Sequence, residues 1–331
     1  MSTPRKRVTL ADIAAETGYT INTVSHALKE KPDIAPATRR QIQQVAARLG
    51  YVRNDMACAL RSGRSQTIAV ITGAITNPFY AVMIDALYRC AEKMGYTQLV
   101  MCSDDGAEKE AQAVATAVGR QVDGVLLCSC GDSARSVAML RQAGVPFVMV
   151  SRRPEDGEEY DCVLLDEAQA GYLAARHLIE QGHKKLGFLY CYDVAYSLPR
   201  RLQGVRRAAK EAGLAEPEAS MRENDEATLE TLRAWRGSVT GIVVFCDIEA
   251  LQLISLMDGA GLSGAFSLVG FDNIERVLGL PTPLCTVDGS LETMAQEAFE
   301  RLDQRIRGDE SPCRTVMLPA RVICRGGCRC I

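Results

Sequence analysis

From residue 67 onward, short apolar runs alternate with longer amphipathic stretches, and this alternation limits the chain to a few folds. The runs are apolar on both faces, and they span residues 67–72, 97–103, 123–129, 146–151, 161–166, 185–191, 241–246 and 266–272. A strand that is apolar on both faces is typical of a parallel sheet covered by helices. The rhythm therefore predicts a series of β-α units over this segment.

The strands are too numerous for one open sheet of ordinary size. We therefore predict two doubly wound parallel-sheet lobes, with a boundary near residue 162 and with the chain crossing back near residues 288 and 316. A single final strand is predicted over residues 316–325. In open parallel sheets ligands bind beyond the carboxyl ends of the strands, so two facing lobes would enclose one cleft.

Residues 8–60 have a different pattern, which predicts four helices and no strand. Thr9 to Asp12 forms a capping box at the start of the first helix, and Thr20 can cap the second. Pro36 suits the first turn of a third helix that continues to Gly50.

Three residues of this segment have the spacing of a helix-turn-helix. Ala14 is small where two helices would touch, Gly18 lies in the turn, and Val24 would anchor the second helix. A plain helical hairpin uses the same residue types, so the spacing alone leaves both readings open.

Charge separates the two parts of the chain. Residues 1–65 contain 11 Lys or Arg and 5 Asp or Glu, a net charge of +6 that leaves −9 for the rest of a chain whose total is −3. A basic head joined to an acidic body is typical of a module that binds a polyanion and is joined to a sensor.

Several motifs make the sequence resemble the LacI/GalR family of bacterial transcription regulators. They are Val8–Ala14, Thr23–Ser25, Thr38–Arg39 and Leu49–Asn54. The resemblance continues through nearly the whole chain. It implies an all-α helix-turn-helix head over 1–50, a hinge helix and linker over 51–66, and a body over 67–331. This body would be an α/β sensor similar to periplasmic binding proteins, and it would bind an effector and form a homodimer.

The resemblance places the second helix of the head in the major groove of an operator. Ile21, Asn22 and His26 would then contact bases, since Asn can pair with adenine and Ile can pack on a thymine methyl group. His26 stands where better-known members have arginine, and it could instead be a solvated surface residue. Thr20, Thr23 and Ser25 would contact phosphates or set the register, and the resemblance implies further DNA-binding positions at Thr9, Thr38 and Tyr51.

A short segment after the head matches the hinge of the family. Asn54, Ala57 and Leu60 would belong to a helix that forms only on DNA, because seven residues are too few for a stable isolated helix. Leu60 would enter the minor groove and kink it, while the small Ala57 lets two hinge helices approach. Burial of Leu60 in a core is the alternative.

The effector site is predicted by resemblance and by chemistry. An aromatic pair follows the first sensor strand and offers an apolar surface for stacking, and Arg201 has the fork of donors that suits vicinal hydroxyls or a carboxylate. A surface ion pair is the alternative for Arg201. The implied effector residues are Asn77, Phe79, Tyr80, Ser151, Arg152, Arg201, Cys246 and Asp272.

Two of these positions depart from the family pattern. Ser151 replaces an aspartate and Cys246 replaces an asparagine, so we expect a cleft with fewer strong polar groups than a typical sugar sensor. A simple sugar, a modified sugar, a phosphorylated metabolite and a partly apolar ligand all stay open, as does control by a partner protein.

Other functions find little support in the sequence. No GxxxxGK[ST] or HExxH motif occurs, and the 3 histidines form no catalytic or metal-binding constellation, so we expect neither an enzyme nor a cofactor. Cys324, Cys328 and Cys330 could bind zinc, but no fourth ligand stands nearby, so exposed free thiols are expected. No long apolar run or secretion signal is seen, which predicts a bacterial cytoplasmic protein without membrane contact.

Overall fold

A computed structural model describes residues 8–52, 63–191, 196–274, 279 and 283–328. The chain divides into two compact units, Met1–Gly63 and Arg64–Ile331. The predicted hinge residues Asn54, Ala57 and Leu60 lie outside the described residues, as does the fourth helix predicted for the head.

The head contains three described helices, α1 (Leu10–Thr17), α2 (Ile21–Leu28) and α3 (Pro36–Leu49). The predicted capping box is confirmed, since the Asp12 carboxylate accepts a 2.8 Å hydrogen bond from the backbone N–H of Thr9. Thr20 caps α2 by accepting a 3.1 Å hydrogen bond from the backbone N–H of Thr23. Sequence-encoded caps therefore fix where both helices begin.

The three helices share one small apolar core. Its buried members are Ile13, Val24, Ala27, Ile42 and Ala46. The small alanines let the helices approach closely, and each fully buried isoleucine or valine stabilises the unit by about 1.5–3 kcal/mol. The outer side of α2 is left exposed by this packing.

The body contains twelve described strands and eight described helices. The strands are β1 (Thr67–Thr72), β2 (Thr97–Cys102), β3 (Gly124–Leu127), β4 (Phe147–Val150), β5 (Cys162–Leu165), β6 (Leu186–Tyr190), β7 (Glu218–Met221), β8 (Gly241–Val244), β9 (Ser267–Phe271), β10 (Cys285–Asp288), β11 (Thr315–Leu318) and β12 (Arg321–Ile323). The helices are α4 (Pro78–Lys93), α5 (Ala107–Gly119), α6 (Ala134–Ala143), α7 (Glu167–Glu180), α8 (Ser197–Glu211), α9 (Asp225–Trp235), α10 (Asp247–Gly259) and α11 (Leu291–Ile306).

These strands form two six-stranded sheets, which confirms the predicted fold. The first sheet has the order β11-β5-β4-β3-β1-β2, and the second has the order β12-β10-β9-β8-β6-β7. Every pairing is parallel except that of β10 with β12. Each apolar run noted in the sequence supplies one strand, because burial on both faces requires apolar side chains throughout.

The prediction of one final strand over residues 316–325 is wrong. The segment forms two strands in different sheets, with β11 beside β5 and β12 beside β10. Pro319 lies between them, and proline cannot donate to a ladder of backbone hydrogen bonds. The interruption lets the chain leave the first lobe and end on the second.

A buried ion-pair network fastens α11 to the first lobe. Arg301 and Arg305 donate to the two carboxylate oxygens of Asp161 at 2.7 and 2.6 Å. The backbone N–H of Arg314 donates to the same carboxylate at 3.0 Å. Because Asp161 and Arg301 are buried, the charges must stay paired, and the segment after β10 is held against β5 and β11.

Two glycines allow α7 and α8 to pack with their backbones in contact. A methyl group at Gly171 would overlap the carbonyl oxygen of Arg201, and one at Gly204 would overlap that of Ala168. The contact is reciprocal, with each helix presenting a glycine to the backbone of the other. It fixes the position of Arg201 relative to the start of α7.

None of the helices in the described ranges combines the length and the apolar character needed to cross a membrane.

We predict that Gly204→Ala lowers the free energy of unfolding by at least about 2 kcal/mol, because the added methyl group must push α7 and α8 apart. The matched control is Gly119→Ala at the end of α5, where a methyl group meets nothing within 4 Å. Thermal and urea unfolding of the two variants measures the difference. Equal stabilities would show that the helices separate freely.

Candidate functional site

A cleft of about 370 Å³ lies between the two lobes of the body, beyond the carboxyl ends of the strands of both sheets. All of the predicted effector residues line this one cavity. Its wall consists of Ala74, Thr76, Asn77, Phe79, Tyr80, Asp105, Ser151, Arg152, Ser197, Arg201, Phe245, Cys246, Ile248, Glu249, Gln252 and Asp272. Side chains that are far apart in sequence therefore meet because strand ends converge.

The start of α4 forms the aromatic part of the first-lobe wall. Asn77 caps this helix by accepting a 3.0 Å hydrogen bond from the backbone N–H of Phe79. Phe79 and Tyr80 meet edge to face, with ring centroids 5.2 Å apart. The cap and the following proline thus present one flat, partly exposed ring to the cleft.

Arg152 supplies the cation of the same wall. It donates to the Tyr80 hydroxyl oxygen and, at 2.6 Å, to the Asp105 carboxylate. Burial raises the pKa of Tyr80, so its hydroxyl stays neutral and can still donate. The guanidinium is buried and paired, which makes the wall rigid before any ligand binds.

Arg201 lies on the second-lobe side of the cleft and is held by a buried carboxylate. Its guanidinium donates to both oxygens of Glu167, at 2.6 and 3.2 Å, and also to the carbonyl oxygen of Phe245. The guanidinium lies 4.2 Å from the ring centroid of Phe271. The ion pair is therefore part of the cleft wall and not the surface pair considered from sequence.

These contacts leave part of the guanidinium available. Arginine has five N–H groups, and three of them are used by Glu167 and Phe245. Among the described residues, two N–H groups of Arg201 thus remain for a ligand. The salt bridge with Glu167 fixes the orientation of these two N–H groups without using them.

Asp272 completes the second-lobe wall at the end of β9. Burial raises its pKa to about 6, although the nearby Arg201 acts in the opposite direction. Its φ of 100° and the φ of 67° at Ser151 are both in the left-handed region. Each backbone thus turns sharply where a strand ends at the cleft.

Sequence reasoning missed several polar residues of the cleft. Asp105 lies three residues beyond the end of β2, and the rule that ligands bind beyond strand ends could have found it. Glu249 and Gln252 lie one turn apart on α10, and Arg222 donates to both at 3.1 Å. No motif marks these two residues, which lie near the start of the helix that follows β8.

The candidate DNA-reading surface is the outer side of α2. Ile21 is 53% exposed, which is unusual for an isoleucine in a small folded unit, and Asn22 is exposed beside it. Thr20 and Thr23 are joined by a 2.9 Å hydrogen bond between their hydroxyl groups, while Ser25 is partly exposed. A contiguous polar and apolar strip therefore faces away from the core of the head.

His26 has a partner that the sequence did not reveal. Its Nδ1 lies 2.6 Å from a carboxylate oxygen of Asp33, and this hydrogen bond lowers the pKa of Asp33. The interaction fixes the imidazole ring and leaves Nε2 as the atom that could contact a base. His26 is thus an oriented side chain instead of a freely solvated one.

The other predicted DNA contacts in the head are dispersed. The Thr9 hydroxyl donates to Asp12 at 2.7 Å, and Tyr51 packs against the core of the head. Thr38 lies in the first turn of α3 and is half-buried. These three residues do not belong to the α2 strip.

A head of this kind and a two-lobed body with an interlobe cleft together define a class, the ligand-responsive DNA-binding transcription regulators. Residues 9–54 match the family described as bacterial regulatory proteins, lacI family. Residues 65–234 match periplasmic binding proteins and the sugar-binding domain of the LacI family, and residues 175–328 match a periplasmic binding protein-like domain. The chain belongs to the LacI family of DNA-binding transcription regulators, and it is not an enzyme.

Individual relatives agree with this assignment. The transcriptional repressor PurR of Vibrio vulnificus is 27% identical over 328 residues, covering 96% of this chain and 97% of PurR. The Lac repressor dimer bound to operator and the anti-inducer ONPF shares the fold, with a TM-score of 0.81, 22% identity, and coverage of 96% and 98% of the two chains. A LacI family regulator from Enterococcus faecium with bound ribose has a TM-score of 0.69 at 23% identity, over 80% of this chain and 99% of that one.

We predict that Asp272→Asn stabilises the protein more at neutral than at acidic pH. A carboxyl group whose folded pKa is raised from 3.8 to about 6 costs stability progressively as the pH rises between these values, by about 3 kcal/mol in total. Asparagine removes this cost. The difference in melting temperature between variant and wild type should therefore grow from pH 4 to pH 7, and a difference that is constant or shrinks would contradict the burial of Asp272 as a charged group.

Proposed function

We propose that the protein is a homodimeric repressor of the bacterial cytoplasm that binds a palindromic operator under the control of a small, sugar-like effector. The observation that carries this proposal is the convergence of all the predicted effector residues on one cavity between the lobes. A two-fold protein requires a two-fold operator, so each head would contact one half-site.

The composition of the cleft favours an uncharged polyhydroxy ligand. Its wall contains the guanidinium groups of Arg152 and Arg201 and the carboxyl groups of Asp105, Glu249 and Asp272. Both guanidinium groups already have carboxylate partners, so a phosphorylated ligand would not find a net positive site. Carboxylates accept from hydroxyl groups, the remaining guanidinium N–H groups donate to them, and Phe79 offers its ring to an apolar sugar face.

Because the walls are rigid, closure of the cleft on a ligand can act as the trigger. A ligand that contacts Arg152 in the first lobe and Arg201 in the second would favour a closed arrangement of the lobes, because only that arrangement satisfies both sets of donors. A difference of about 1–3 kcal/mol in affinity between two arrangements suffices for control. We propose that this difference controls operator binding through the segment that contains Asn54, Ala57 and Leu60.

The α2 strip supports sequence-specific DNA binding. Ile21, Asn22 and the oriented Nε2 of His26 offer an apolar contact for a thymine methyl group, a bidentate amide for adenine and a single hydrogen bond for guanine. The hydroxyl groups of Thr20, Thr23 and Ser25 stand beside them, where phosphate contacts would set the register.

We predict that selection from a random duplex library by the full-length protein yields an inverted repeat. Asn22→Ala should weaken binding to that sequence by about 1–3 kcal/mol, the value of one bidentate base contact, and should relax preference at one position of each half-site. The matched control is Gln44→Ala, which alters an exposed amide on α3 away from the strip. Selection of no inverted repeat, or equal losses in both variants, would contradict the proposed reading surface.

We predict that Arg201→Lys weakens effector binding by about 10- to 100-fold while the operator affinity of the effector-free protein is retained. Lysine keeps a cation beside Glu167 but lacks the planar fork that would hold two hydroxyl groups. Arg200→Lys is the matched control, because Arg200 pairs with Glu155 at 2.9 Å and does not line the cleft.

Calorimetry measures the ligand affinities of the full-length wild type and of both variants. The ligands are ribose and a panel of pentoses, hexoses, disaccharides and their phosphates. Binding of a neutral member that Arg201→Lys weakens and Arg200→Lys does not would support the proposal. Binding of phosphorylated members alone would contradict the uncharged ligand class, and equal effects of the two substitutions would remove Arg201 from the site.

A further inference from the structure

Three metal-ligating side chains from separate parts of the body meet at the start of β10. The ligand atoms of His177, Cys285 and Cys324 all lie within 4.8 Å of one another. The sulfur atoms of Cys285 and Cys324 are 3.9 Å apart. His177 lies in α7, Cys285 opens β10, and Cys324 follows β12, so the cluster joins three elements of the second lobe.

Cys328, which belongs to the same tail, lies beside this cluster. Its thiol interacts with that of Cys285 and donates a hydrogen bond to the carbonyl oxygen of Leu268 at 3.5 Å. Cys328 is itself buried. Cys324 and Cys328 are separated by three residues, a spacing typical of paired zinc ligands.

The loop between these cysteines is shaped to wrap around Cys285. Gly326 has a φ of 76°, which only glycine adopts at low cost. A methyl group at Gly327 would overlap the carbonyl oxygen of Pro283, two residues before Cys285. Both glycines are thus needed for the tail to approach this strand so closely.

His177 adds an unmet polar atom. Its Nε2 is buried and has no hydrogen-bond partner among the described residues. A buried nitrogen left without a partner costs free energy, and a metal ion is one of the groups that can satisfy it.

The sulfur separation excludes a disulfide and is compatible with a metal site. Zn–S bonds of about 2.3 Å in a tetrahedral site put the two sulfurs about 3.8 Å apart, whereas a disulfide joins them at about 2.0 Å. The two thiols are hydrogen-bonded at 3.9 Å, so both could become ligands of one ion with little movement.

We propose that His177, Cys285 and Cys324 bind Zn²⁺, with Cys328 as the fourth ligand of a Cys₃His site, and that the ion fastens the carboxyl-terminal tail to the second lobe. Three thiolates and one imidazole favour zinc over hard cations such as Mg²⁺ or Ca²⁺. Binding releases the remaining thiol protons to solvent as the sulfurs become ligands. The site lies at the amino ends of the strands, at the opposite end of the sheet from the effector cleft.

The site also has a path for the ion. Cys324 is exposed while Cys285 is buried, so the ion can first reach the outer sulfur and then the inner ligands. Along the chain no further ligand stands near the tail cysteines, whereas the fold brings His177 and Cys285 beside Cys324.

The test uses the full-length protein, purified under anaerobic reducing conditions and stripped of metal with a chelator. Addition of Co²⁺ should produce a thiolate-to-cobalt charge-transfer band and the strong visible bands of a tetrahedral site, and both should saturate at one equivalent of Co²⁺. Subsequent addition of Zn²⁺ should abolish these bands. The change in melting temperature with Zn²⁺ provides a second readout.

Cys324→Ser changes an exposed residue and should lower Zn²⁺ affinity by at least about 100-fold. His177→Gln keeps all three thiols and should also weaken binding, which separates a metal site from a cluster of oxidisable thiols. Cys313→Ser is the matched control, since Cys313 is another exposed cysteine that does not belong to the cluster, and it should bind Zn²⁺ like the wild type.

Three results would overturn the proposal. The first is the lack of a charge-transfer band in the wild type. The second is equal Zn²⁺ affinity in Cys324→Ser, His177→Gln and Cys313→Ser. The third is a disulfide between Cys285 and either tail cysteine, detected in peptides of protein alkylated directly after anaerobic purification.

Discussion

The buried pairing of Arg201 with Glu167 is the contact on which the interlobe cleft depends. A guanidinium in a buried wall is tolerated only when a carboxylate compensates it with good geometry, and here the geometry comes from two helices whose backbones touch at Gly171 and Gly204. The close crossing of α7 and α8 thus positions the ion pair, and the ion pair in turn orients the remaining N–H groups of Arg201. Loosening it would disturb the second-lobe wall before any ligand contact changed.

Much of the fold could be predicted from the sequence, because buried parallel strands must be apolar and helix caps leave short local signals. The exceptions were places where tertiary context decides. The edge strand β7 is largely polar and has no apolar run to announce it. Pro319 divides what appeared to be one strand, and which sheet receives each half depends on pairings with β5 and β10.

The candidate site was predictable in part for the same reason. Residues at strand ends, such as Ser151 and Asp272, follow from the rule for open sheets and from family motifs. Glu249 and Gln252 do not, since they lie within the helix after β8 and no family motif marks them. The cysteine cluster is the extreme case, in which ligands from residues 177, 285 and 324 meet with no spacing that a scan along the chain could detect.

The left-handed backbone at Ser151 and Asp272 has a consequence for how such a sensor can diversify. Valine, isoleucine and threonine are poorly tolerated there, while glycine, asparagine, aspartate and serine accept the conformation more readily. Substitutions that change the ligand preference are therefore limited at these two positions to glycine and small polar residues. Bulk and hydrophobic character must be altered elsewhere in the wall, on helices whose side chains can change without bending the chain.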